Sequence, residues 1–122
     1  MADPSKLYVE VAPGRSHDDA LVNGAEAGLS RVPFAVLVDD RGEVELEMDV
    51  SELSERGDQT VCRVKILVLR LPGDSLLGIA EGGARVRGTG DRAESDCVEG
   101  LGATLIRGKV RGLLRRELRT RR

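Results

Sequence analysis

Val44, Leu46, Met48 and Val50 alternate with Glu43, Glu45, Glu47 and Asp49. A period of two predicts a half-buried strand with one wet face. Thr60 to Leu71 follows the same rule, with Cys62, Val64, Ile66 and Val68 on one face and Arg63 and Lys65 on the other. Pairing of the two strands sets both cations before the Glu45, Glu47 and Asp49 row. Such exposed cross-strand pairs contribute about 0.2–1 kcal/mol each. Their larger effect is on register, since a slip of one residue inverts the faces. The polar run from Ser51 to Gln59 reads as the loop between them.

The flanking segments complete the pattern. Leu7 to Ala12 is a first strand, ended by Pro13-Gly14. Ser16 and Asp19 form a capping box for a short helix over 17–30, carried by Ala20, Leu21, Ala25 and Leu29 and weakened by Gly24 and Gly28. Pro33 stops it, Phe34–Val38 reads as a buried strand, and Asp39–Gly42 is a turn with a glycine for positive φ. Pro72–Ser75 is a second turn. The strand after it presents Gly78, Ala80, Gly82, Ala84 and Val86, an unusually small set.

Gly88–Asp91 leads into a long helix over 92–119. Val98, Leu101, Leu105 and Leu113 lie on one side of it, with Ile106 and Val110 near that edge. Gly100, Thr104, Gly108 and Gly112 recur every four residues beside them. Each helical glycine costs up to ~1 kcal/mol relative to alanine, and close approach is the natural compensation. Either the ridge settles on the small-residue strand, the reading favoured here, or it serves a helix–helix contact between two copies. The order is therefore strand, helix, four strands, helix. That is an α+β domain over 1–122, with a mainly antiparallel sheet of about five strands and a long C-terminal helix packed on one face. Residues 115–122 form an Arg-rich end that is expected to fray.

Composition narrows the function. The chain has 122 residues, 40% of them hydrophobic, enough for one core. Tyr8 and Phe34 are the only aromatics, which disfavours a base-stacking nucleic-acid binder or a sugar cleft. One histidine and two cysteines exclude a four-ligand Cys/His zinc site and an iron–sulfur cluster, so no metal or cofactor is expected. No run approaches the ~20 apolar residues of a membrane span. Met1–Ser5 has neither the basic flank nor the apolar block of a signal peptide. Met1 therefore either starts a cytoplasmic chain or precedes a mature exported domain.

The net charge of −2 hides a dipole: residues 1–60 hold 14 Asp/Glu against five Lys/Arg, and 61–122 hold seven against 14. A molecule so divided can pair head to tail or offer its basic end to an anion. Arg107, Arg111, Arg115 and Arg119 are four residues apart and form a helical stripe, with Arg116 beside it. That stripe suits phosphates, anionic lipid or an acidic neighbour; alternatively, it is a solvated helix end whose cations meet the C-terminal dipole. The Glu45, Glu47 and Asp49 row is foremost a solvated sheet face, since calcium loops need ligands converging around a turn. Asp39-Asp40 reads as an ordinary turn. His17 beside Asp18 and Asp19 offers a base or metal ligand, but no nucleophile signature accompanies it; the plainer reading is a first-turn helix residue. The glycines at Gly82-Gly83 and Gly88-Thr89-Gly90 match no phosphate-binding fingerprint. Cys62 and Cys97 fit either a sheet-to-helix disulfide or two buried thiols, the latter slightly preferred.

Thr60–Leu69, a short turn, Leu76–Val86 and a helix beginning near Ala93 together resemble the α/β module at the N-terminus of TolB and related lipoproteins of bacterial cell envelopes. The likeness spans Phe34 to Arg122 and contains no catalytic residue. It implies an extracytoplasmic, non-enzymatic domain that scaffolds or recruits other proteins.

The expected function is accordingly a non-catalytic interaction or assembly module that binds a protein partner or itself. Its contact residues are Arg107, Arg111, Arg115, Arg116, Arg119, Glu45, Glu47 and Asp49. The alternative is a basic-tailed accessory protein for nucleic acid or anionic membrane. A small enzyme built on His17 ranks last.

Overall fold

A computed structural model describes residues 3–14 and 16–121; Met1, Ala2, Arg15 and Arg122 lie outside the described residues. Five strands, β1 (Leu7–Pro13), β2 (Ala35–Leu37), β3 (Val44–Arg56), β4 (Gln59–Arg70) and β5 (Ser75–Arg87), form one sheet in the order β2-β1-β3-β4-β5. The helices are α1 (Asp18–Leu29), α2 (Asp91–Leu105) and α3 (Arg111–Arg121), the last two joined through a π turn at Ile106–Val110.

The α+β class and the element order are as expected, but the sheet is mixed. β3, β4 and β5 make an antiparallel meander, whereas β1 runs parallel to both β2 and β3. A parallel neighbour requires a crossover of about a dozen residues, and α1 supplies it between β1 and β2. β2 lies at the edge with partial exposure, Leu37 at 39%, so the Phe34–Val38 segment is not the buried strand its composition suggests.

Three local expectations also change. The stretch read as a loop from Ser51 is the second half of β3, which continues past a bulge between Val50 and Glu52 and turns only at Gly57-Asp58. The bulge redirects the cross-strand charges. Lys65 stands opposite Asp49, while Arg63 stands opposite Glu52 rather than the carboxylate row. The Ser16–Asp19 capping box does not form: His17 is the N-cap of α1, at φ 57°, with no side-chain cap hydrogen bond. In the turn before β3 it is Arg41 that takes positive φ. Gly42 lies against the Glu10 side chain, which an added Cβ, 2.7 Å from Glu10 Cγ, would have to displace, and its N–H donates to Glu10 Oε2.

One continuous core fills the space between the sheet and the helices. It joins Leu7 and Val9 of β1, Val44, Leu46 and Met48 of β3, and Cys62, Val64, Ile66 and Val68 of β4 to Leu21, Val98, Ile106 and Leu114 from above. The small face of β5 receives the long C-terminal helix as anticipated: a Cβ at Gly78 would meet Leu113 at 2.7 Å, and one at Gly82 would meet Leu105 at 3.3 Å. The helix's own contact there is made by leucines, not glycines. Gly100, Gly108 and Gly112 have open space where a Cβ would stand, so the ridge does not pack inside the domain. The close helix–helix approach is instead between α1 and α2 with the π turn after it, where a Cβ on Gly24 would lie 2.6 Å from Glu99 O and one on Gly28 2.8 Å from Ile106 Cβ.

Candidate functional site

β4 carries a fastening to the roof near each of its ends. Near its start, Cys62 is bonded to Cys97 in the second turn of α2, with Cα atoms 6.2 Å apart. Both sulfurs lie in the core, so the pair forms a bond and not the two thiols preferred from sequence. Spacing alone did not contain the Cα separation that decides this. At its other end, Arg70 donates through Nε and a terminal nitrogen to the two oxygens of Glu117, each at 2.7 Å. Glu117 is 3% exposed. The bidentate pair, with the adjacent Arg121, holds its carboxyl below the usual carboxylate range, against the opposing effect of burial.

Arg121 continues this cluster. Its Nε donates to Glu117 at 3.0 Å and one terminal nitrogen donates to the Glu43 carbonyl at 2.9 Å. The Arg-rich end is therefore helical to Arg121 and tied to the start of β3. Sequence reasoning did not single out Glu117; the signal was a lone acid among eight cations over 107–122.

The predicted contact residues fall on two separate surfaces. Arg107, Arg111, Arg115, Arg116 and Arg119 are all exposed on the outer side of the helix. Arg115 also lies over Phe34, 4.9 Å from the ring centroid. Glu45, Glu47 and Asp49 lie on the opposite, uncovered face of the sheet, where Glu10 stands beside Glu45 in parallel register. Partial burial first, then the neighbouring Glu47, Asp74 and Glu10, raises the Glu45 pKa. A shallow hollow beside this row is lined by Ala12, Pro13, Glu47 and Asp49.

His17 does not meet Asp18 and Asp19. Its Nε2 lies 3.4 Å from Glu94 Oε1, at the start of α2, so the histidine bridges two helix N-termini. Among the described residues no three His, Cys, Asp or Glu side chains gather as a metal site, and no helix is long and apolar enough to cross a membrane.

No protein-family model matches the chain, and a search of curated proteins finds no match. Solved structures are similar over nearly the whole length. A Xanthomonas campestris protein of the DUF330 family superposes with a TM-score of 0.66 at 10% identity, covering 96% of this chain and 88% of that one. PelC from Paraburkholderia phytofirmans, solved as a dodecamer, gives 0.61 at 11% identity over 87% and 89%. The lipoprotein GNA1162 from Neisseria meningitidis gives 0.53 at 12% identity over 88% and 97%. At these identities the likeness is one of fold. One of these neighbours is itself a lipoprotein, the kind of protein the sequence resemblance anticipated, and none of the three is TolB.

Proposed function

We propose that this chain is a non-catalytic assembly module of a bacterial cell envelope, acting through its outer surfaces on a protein partner or on further copies of itself. The observation that carries the reading is the Cys62–Cys97 bond within a fold shared with lipoproteins. Disulfides persist in oxidising compartments, and the periplasm is one. The dodecameric state of PelC supports self-association over capture of a different protein. The contact surfaces are the Arg107, Arg111, Arg115, Arg116 and Arg119 side of the helix and the Glu45, Glu47 and Asp49 side of the sheet. Their opposite charge suits assembly of one copy's basic surface with another's acidic one.

The test is light scattering across a salt series with the oxidised protein, read with a thiol count. The expected result is no titratable thiol and a mass above the monomer that declines as salt rises. Neutralising Arg115, Arg116 and Arg119 together should weaken that association. If the same triple change instead abolishes salt-sensitive retention on DNA or anionic vesicles and leaves the mass alone, the accessory-protein reading replaces this one.

A further inference from the structure

β5 ends the sheet with 13 residues and, among the described residues, no strand beyond it. The opposite edge, β2, is only three residues long, which is one of the usual protections against edge pairing. From Gly78 to Arg87, β5 has no proline, and its pairing with β4 is unbroken. Its charges are also arranged symmetrically. Glu81 and Arg85 are exposed on the uncovered face, two residues on either side of Gly83. Two copies of β5 laid antiparallel about Gly83 therefore place Glu81 of each opposite Arg85 of the other, giving two ion pairs from one symmetry operation.

The roof fits the same operation. α2 straddles β4 and β5, bonded to Cys62 on one and resting Leu105 on Gly82 of the other. With strands about 4.8 Å apart, a helix above the β4–β5 midline meets its symmetry mate at about 10 Å. That lies within the usual range for packed helices, so the two α2 helices become neighbours. The flank of α2 bordering the β5 edge carries Asp96, Gly100 and Thr104, and a cleft there is lined by these with Gly83, Ala84 and Val86. Gly100 has nothing within 4 Å of where a Cβ would stand. The part of the ridge at Gly100 and Thr104, which does no packing inside one chain, thus borders the position of a second chain.

We infer that β5 pairs with β5 of a second copy, antiparallel about Gly83, with Glu81 facing Arg85 across the junction and the Gly100 flanks of the two α2 helices in contact. The inference rests on the self-association reading above and adds a seam separate from its two charged surfaces. It is tested by sedimentation of the oxidised full chain over a concentration series, for the wild type, Glu81→Arg, Arg85→Glu, the double exchange, and Gly100→Phe.

The expected pattern is a dimer that either single charge reversal weakens about tenfold or more. The double exchange restores it, because it rebuilds both pairs in reverse, and Gly100→Phe weakens it without lowering the thermal midpoint of the monomer. Association that ignores all four variants overturns the β5 seam and leaves the assembly reading intact. A wild-type monomer at every concentration overturns the seam and the self-association reading together.

Discussion

Glu117 Oε1 and Oε2 each accept a hydrogen bond from Arg70 at 2.7 Å, across 47 residues of sequence. The carboxylate is almost sealed while the guanidinium is 44% exposed, so the acid depends on the base more than the base on the acid. Glu117→Gln keeps the shape and loses the charge. It should lower unfolding stability at neutral pH by about 1–3 kcal/mol, read from the urea midpoint at unchanged slope.

The same pair gives a pH dependence. The folded-state pKa of Glu117 lies below its ordinary value of 4.5, so its contribution is complete above the unfolded pKa and is lost as pH falls through the folded one. Between neutrality and acid, the difference in stability between the wild type and Glu117→Gln should shrink below about pH 4.5. A difference that is flat down to pH 2 would refute this account.

Glu45 has the opposite sign. Its pKa is raised by partial burial and by Glu47, Asp74 and Glu10, so the folded state loses stability as pH rises through that value. Glu45→Gln should therefore stabilise the protein at pH 7 by about 0.2–1 kcal/mol, with the gain vanishing in acid. Thermal melts at the two pH values measure it.

Cys62 and Cys97 close a 35-residue separation. Replacing both with alanine, or reducing the bond, should lower stability by about 3–4 kcal/mol through the unfolded chain's regained freedom. A thiol assay on denatured, unreduced protein should find none.

Two glycine-to-alanine changes should act in opposite directions. Gly28→Ala drives a methyl to within 2.8 Å of Ile106 Cβ and should cost about 1–3 kcal/mol. Gly112→Ala meets open space and should stabilise by up to about 1 kcal/mol. Urea midpoints of the two single variants separate a packing glycine from an unused one.

Alternation made β3 and β4 readable from sequence, because each buries one face on helices, and the small residues of β5 announced the close approach of the roof. The pairing partners of β1 were not readable, since period-two patterning is the same whether a neighbour is parallel or antiparallel. Nor was the second half of β3, where one extra residue at the bulge breaks the alternation and polar residues follow.

The long helix shows the same limit differently. Leu105 and Leu113, eight residues apart, would sit about 80° apart on a regular α-helix. The π turn at Ile106–Val110 absorbs one residue and returns both to the β5 side. The arginine stripe and the carboxylate row were legible as surface charge, whereas the buried acid among the arginines was hidden by its neighbours. The cysteines were identifiable as candidates, but their bond depended on a distance only the fold supplies.

The C-terminal helix is secured to the same strand at both ends by unlike chemistry, covalent at Cys62–Cys97 and ionic at Arg70–Glu117. A reductant should therefore loosen it from its N-terminal side and acid from its C-terminal side. Hydrogen exchange under the two treatments should begin at opposite ends of one element, and only their combination should lift the whole cover.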